Sequence, residues 1–174
     1  MVGVVARLQM PGQWRSWRAW LSVLGVIALA LAGVPVGAQN VPVPATCTPP
    51  VNATLASLVT SDRRGEVDNV MACGTTISSS RTQHGGRHGD HQILPLRVRF
   101  PDGSTHLIEI VTNDALDGRV TARRGALVFA LGQYFNDGPG RHFEAGLHDV
   151  HCATHAGADN GWVVVDGVKS PATC

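Results

Sequence analysis

The segment with the most chemical capacity is His148-Asp149-Val150-His151-Cys152-Ala153-Thr154-His155. Imidazole is the commonest metal ligand and the natural acid–base group near neutral pH. Spacing limits what this segment can do. In a regular strand His148 and His151 point to opposite faces. His151 and His155 share a face but stand roughly 13 Å apart at the rise of an extended chain, too far to hold one ion. In a helix His148 and His151 would be neighbours. A shared site therefore needs a bulge, a turn or partners from other strands. The H-E-x-x-H pattern of zinc proteases does not occur. The plainer alternative is a set of exposed or hydrogen-bonded strand histidines.

Other histidines carry less weight. His84 and His88 fall in a Gly-rich stretch and read as solvated, and His106 and His142 abut turns. Ser/His/Asp catalysis finds no support, since no G-x-S-x-G elbow is present. Gly85-Gly86 precedes no Lys-Ser or Lys-Thr, so there is no phosphate loop. Arg97, Arg99, Arg123 and Arg124 supply some positive charge. Tyr134, Trp162 and four Phe are the aromatic supply of the chain after its leader, which is thin for stacking bases. Nucleic acid is therefore not indicated, although a phosphodiester substrate stays open.

Period-two patterning supplies the elements that must position these groups. Glu66–Ile77 reads as a bent strand containing Gly74, and Ser78–Gly89 as a polar loop. In Asp90–Phe100, Leu94, Leu96, Val98 and Phe100 share one face, and His91, Arg97 and Arg99 the other. Pro95 there argues for an edge or a bulge. Pro101-Asp102-Gly103-Ser104 is a hairpin turn before the return strand Thr105–Val111. Asn113–Arg124 reads as a loop or one helical turn. Gly125–Tyr134 is apolar on both faces, hence packed on two sides. His142–Thr154 and Gly161–Val168 complete about six strands. Few helical residues remain beyond 52–63, where Leu55, Leu58 and Val59 share a side. Asn52-Ala53-Thr54 matches a glycosylation sequon, which would carry no weight if the chain were bacterial. The predicted fold is all-β, a small OB-like antiparallel barrel, with a β-sandwich as the alternative.

The composition is that of a precursor. The 174 residues carry a formal net charge of +1. Arg7, Arg15 and Arg18, the apolar run Leu21–Val34 and the small residues Val36-Gly37-Ala38 form a secretory signal. That run is shorter than a membrane span requires. Subtracting residues 1–38 leaves 136, with 11 basic residues against 13 acids and so a net charge of −2. The organisation predicted is a signal peptide over 1–38, an N-terminal arm and short helix over 39–64, and a barrel over 65–174. All eight His and all four Cys lie beyond the leader. An even number of cysteines in an exported chain reads as two disulfides. Cys47 and Cys174 lie near the two ends, and Cys73 and Cys152 inside strand-like segments. The favoured pairing is Cys47–Cys174 with Cys73–Cys152.

The landmarks His91-Gln92, Asn113, Arg119, Gly132-Gln133-Tyr134, His148-x-x-His151 and Gly161-Trp162 occur in an order that resembles an uncharacterised family of small exported bacterial proteins. The resemblance spans roughly residues 66–170. Gly146–His151 alone also resembles a second uncharacterised family, with a Gly-x-His-Asp-x-His signature. The first resemblance implies a small exported β-barrel and supplies no activity. It singles out His91, Asn113, Arg119, Tyr134, His148, His151 and Trp162. Two positions depart from it: Thr112 stands where a His is expected, and Cys152 where another polar group is common.

These residues make sense as one patch at a barrel mouth. His148, His151 and Arg119 are the candidate catalytic groups, and His91, Asn113, Tyr134 and Trp162 the candidate ligand contacts. His91, His148 and His151 are the candidate ligands of a divalent metal such as zinc. An Arg beside several His is an anion-binding arrangement. The function expected is a periplasmic or secreted protein that binds a small polar or anionic ligand and could hydrolyse phosphodiester-type bonds. The alternative is a non-catalytic binding module or structural protein of the envelope.

Overall fold

Strand β3 (Asp90–Arg99) shows how the pattern becomes structure. Leu94, Leu96 and Val98 are fully buried, while Arg97 and Arg99 between and beyond them are exposed. Pro95 sits where one edge of β3 changes partner. That edge pairs with β2 (Arg81–His84) up to Ile93 and with β1 (Val67–Thr76) from Leu96. The Pro95 carbonyl accepts the Ile77 N–H at 2.9 Å. In a strand the N–H of a residue points to the same side as its carbonyl. The missing N–H of Pro95 therefore costs no bond to β4 (Thr105–Asn113) on the other edge.

The computed structural model describes residues 39–174 apart from 137, 139–141 and 158, so the expected signal peptide lies outside the described residues. The remaining strands are β5 (Leu127–Phe135), β6 (Ala145–His148), β7 (Trp162–Val165) and β8 (Val168–Ser170). One helix, α1 (Ala53–Thr60), follows a 3-10 turn at Pro49–Asn52. Strands β1-β3-β4-β6-β5 run side by side, and β5 pairs with β1 from Val67↔Tyr134 to Thr75↔Leu127. This last pairing closes the sheet and decides for a barrel over a sandwich. Four of the five barrel pairings are antiparallel, and β4–β6 is parallel. The barrel is thus OB-like but mixed rather than wholly antiparallel, because β6 inserts between β4 and β5. Strand β2 extends β3, and the β7–β8 hairpin extends β5.

Strand β5 is packed on both faces, as its continuous apolar run predicts. Val128, Ala130 and Tyr134 face the barrel core with Leu94, Leu96, Ile108, Ile110 and Leu147, and Leu55 of α1 joins them. Phe129 and Leu131 face outward into a second core with Cys73, Trp162 and Val164. The N-terminal arm covers that core with Val41, Val43, Cys47 and Val51. Here the disulfide pairing departs from expectation. The bonds are Cys47–Cys73 and Cys152–Cys174. The arm lies across the outer face of β1, which brings Cys47 to Cys73. Cys152 lies in the loop after β6, not in a strand, and meets Cys174. The two bonds fit an oxidising compartment. No helix among the described residues is long and apolar enough to cross a membrane.

Three local expectations are also corrected. The strand predicted over His142–Thr154 is only β6, ending at His148. The segment Gly161–Val168 is mostly a hairpin, turning at Asp166-Gly167 with φ of 47° and 87°. The loop predicted before β3 contains β2 and a 3-10 turn at Gly86–His88.

Candidate histidine and carboxylate pocket

A cavity of about 330 Å³ opens on the outer face of β3, β4 and β6. Its position follows from register. His91 of β3 pairs with Asn113 of β4, and the parallel β4–β6 pairing carries β6 alongside. His148, the last residue of β6, pairs with Gln133 of β5. The buried Ile110, Leu147 and Tyr134 point into the barrel, so Val111, His148 and Phe135, one residue away, point out into the cavity. Phe135 lies across Gly146, where a Cβ would come within 2.2 Å of the ring. Glycine at 146 is what lets this apolar wall lie flat on β6.

The turn that joins the two histidines is set by Asp149. Its φ is 51°, in the left-handed region that Asp tolerates better than most residues. The strand ends there, and His148 and His151 both reach the cavity. Two glycines make room for this turn. A Cβ on Gly132 would lie 2.4 Å from the His148 carbonyl oxygen, and one on Gly161 would lie 2.5 Å from that of Asp149. The Gly132 and Gly161 landmarks thus have a local physical reason: the His148–His151 backbone rests directly on them.

Charge contacts and hydrogen bonds together fix how the imidazoles are presented. Asp149 Oδ1 lies 3.1 Å from His148 Nδ1 and 3.4 Å from His151 Nε2. The His151 Nδ1–H donates to the Cys152 carbonyl at 2.8 Å, so Nε2 is its reactive nitrogen. With His148 Nδ1 turned to Asp149, His148 Nε2 faces the cavity, 3.7 Å from Glu66 Oε1. The Asn113 side-chain oxygen accepts the Ala115 N–H at 2.9 Å, which assigns its amide nitrogen as donor to His91 Nε2 at 3.3 Å.

Asp117 is the buried acid of the pocket, only 4% exposed. The Asn113 N–H donates to its Oδ2, and its Oδ1 is buried without a hydrogen-bond partner among the described residues. Burial pushes its carboxyl above the ordinary value. The Asn113 N–H and the nearby His151 oppose that shift, and the Asp149 charge adds to it.

Of the residues predicted to form one patch, His91, Asn113, His148 and His151 come together. They do so on the outer face of the sheet, not at a barrel mouth. Arg119 does not line the cavity; it is exposed and donates to Thr82 Oγ1 at 3.2 Å. Tyr134 is in the barrel core, and its hydroxyl donates to the Arg63 carbonyl at 2.9 Å. Burial raises the Tyr134 phenol above its usual range. Trp162 is in the second core and donates through Nε1 to the Val41 carbonyl at 2.9 Å.

His84 and His106 serve elsewhere, paired with Asp90 at 3.0 Å and Glu144 at 2.6 Å. Among the described residues no group of three or more His, Cys, Asp or Glu is placed to hold a metal ion, whereas zinc centres draw three or four ligands from protein. His91, His148 and His151 share a cavity without forming such a set. Sequence reasoning missed Glu66, Phe135 and Asp117 as pocket residues. It also missed the bridging role of Asp149, for which an Asp between two His was the available signal. No protein-family model, curated protein or solved structure matches the chain.

Proposed function

We propose that this pocket binds a small polar ligand and moves protons to or from it. His148 and His151 are the acid and base, Asp149 holds them, and Asp117 and Asn113 set the opposite wall. The observation that carries this reading is the single Asp149 carboxylate oxygen shared by His148 Nδ1 and His151 Nε2. Asp149 beside Nδ1 orients His148 and the Cys152 carbonyl holds Nδ1 of His151, so each ring presents Nε2, which is what a general acid–base pair needs. The reaction that fits best is hydrolysis by an activated water, since no Ser, Cys or Lys lines the cavity among the described residues. Phosphodiesters fit less well than neutral polar substrates, because Arg119 is outside the lining and three carboxylates are in it. The leader and the two disulfides support export to the periplasm or exterior as the setting.

A panel of chromogenic esters, glycosides, phosphomonoesters and phosphodiesters tests the reading on untagged protein, with and without chelator. His148→Ala and His151→Ala are each expected to lower the rate by about 100-fold or more. Equal rates in wild type and both variants would sink it. The second reading, a binding module without catalysis, is favoured by that same lack of a side-chain nucleophile. It predicts ligand-induced stabilisation with no turnover.

A further inference from the structure

We infer that the ligand of this pocket is a small organic cation, an alkylammonium or amidinium group on a short apolar body. The inference rests on the pocket being the ligand site, as proposed above. Charge is the first ground. Glu66, Asp117 and Asp149 line the cavity, and no Lys or Arg does among the described residues.

The unsatisfied oxygen of Asp117 is the second ground. A carboxylate with one oxygen buried and unpartnered is costly to keep in a fold, and a cation beside it offsets that cost. Shape is the third. Val111, Leu116 and Phe135 give the cavity an apolar side. Leu116 is 53% exposed, and a large apolar side chain left open beside a pocket gains from a ligand that covers it. The Phe135 ring adds a face that attracts cations. An anion would meet three carboxylates here, and a neutral solute would leave Asp117 uncompensated.

The test is a two-dimensional amide NMR titration of the exported protein near neutral pH at constant ionic strength. The probes are n-butylammonium, n-butanol, n-butyrate and inorganic phosphate. Butylammonium is expected to shift amides at 111–117 and 146–151 saturably, with affinity about tenfold or more above butanol. Butyrate and phosphate are expected to leave these signals in place. Asp117→Asn keeps an acceptor for the Asn113 N–H, and is expected to weaken butylammonium binding by about fivefold or more. If Asp117→Asn does not fold, Glu66→Gln on the exposed rim carries the same test, with a loss of about twofold.

Butyrate or phosphate binding as tightly as butylammonium overturns the inference. So does butanol binding equally well, the absence of saturable shifts, or an unchanged affinity in the variant used. Loss of cation selectivity alongside His148- and His151-dependent turnover overturns the ligand class alone. Cation binding without any turnover overturns the acid–base reading alone.

Discussion

Asp149 Oδ1 stands 3.1 Å from Nδ1 of His148, its immediate chain neighbour. Adjacent residues of a strand point to opposite faces, so this contact exists only because Asp149 leaves the strand with φ at 51°. The same residue therefore makes the turn and supplies the charge. These two roles separate by substitution. Asp149→Asn retains tolerance of the left-handed region and is expected to keep the fold. Asp149→Ala lacks it and is expected to cost about 1–2 kcal/mol. Both remove the carboxylate, so both should lower activity, while only Asp149→Ala should lower the melting temperature appreciably. Equal melting temperatures for the two would show that the turn does not depend on residue 149.

Asp117 gives a pH dependence with a definite sign. Its carboxyl is raised by burial above the ordinary value of 3.8, so the folded state holds this proton more tightly than the unfolded chain. Its ionisation thus destabilises the fold in full once pH exceeds the raised value, and the penalty fades as pH falls through that value towards 3.8. Asp117→Asn removes the penalty and keeps the acceptor for Asn113. The variant is expected to be more stable than wild type near neutral pH by about 1 kcal/mol, within the usual cost of an unsatisfied buried group. The difference should shrink as pH falls and vanish below the ordinary carboxyl range. Paired thermal melts across that range check it. A gain that grows with acidity would reverse the sign and refute the assignment.

The residues that were legible in the sequence are those whose signal is local and periodic. Leu94, Leu96 and Val98 announce β3 by alternation, and the apolar run of β5 announces its two cores. His148 and His151 were visible as a pair, but their convergence was not. It depends on one left-handed residue and on bare backbone at Gly132 and Gly161, which lie 16 and 13 residues from His148 in the chain. Tyr134 and Trp162 look like binding aromatics by type. What places them in cores is the closure of the barrel and the return of an arm whose Val41 lies 121 residues before Trp162. Asp117 carries no sequence signal beyond a turn-like Asp-Gly, since its burial comes from the loop folding back on Asn113. The disulfides were misassigned for the same reason: pairing is decided by where the arm crosses β1, and linear position does not encode that.

The observed pairing is itself testable. Proteolysis without reduction is expected to yield disulfide-linked peptides containing Cys47 with Cys73 and Cys152 with Cys174. The loops closed are 26 and 22 residues apart in sequence, so chain entropy gives each bond a similar contribution of about 3 kcal/mol. The consequences differ by place. Cys73 is fully buried in the second core, so Cys47→Ser with Cys73→Ser should cost the more stability. Cys152→Ser with Cys174→Ser frees the loop whose Cys152 carbonyl fixes the His151 tautomer. That double variant should fold, yet lose activity or ligand affinity. Unchanged function there would show that the loop holds His151 without its bond.

Asn52 links the arm to the barrel, and its removal should be felt as stability rather than function. Strand β1 pairs with β3 only at Thr75 and Thr76, which leaves Cys73 without a β3 partner on that edge. Asn52 fills the gap. Its side-chain oxygen accepts the Cys73 N–H at 2.7 Å, and its amide donates to the Cys73 and Arg99 carbonyls at 3.1 and 3.0 Å. It is buried, so truncation leaves polar backbone groups that water cannot easily reach. Asn52→Ala is expected to cost about 2–4 kcal/mol, since several buried bonds are lost together. Asn52→Asp keeps the acceptor but loses the donor and buries a charge, so it should fare no better near neutral pH. Denaturant unfolding measures both. The same burial makes the Asn52-Ala53-Thr54 sequon inaccessible in the folded chain, so a glycan attached there before folding should prevent the native structure. A glycosylating host tests this directly, because folded secreted protein should then carry no sugar at Asn52.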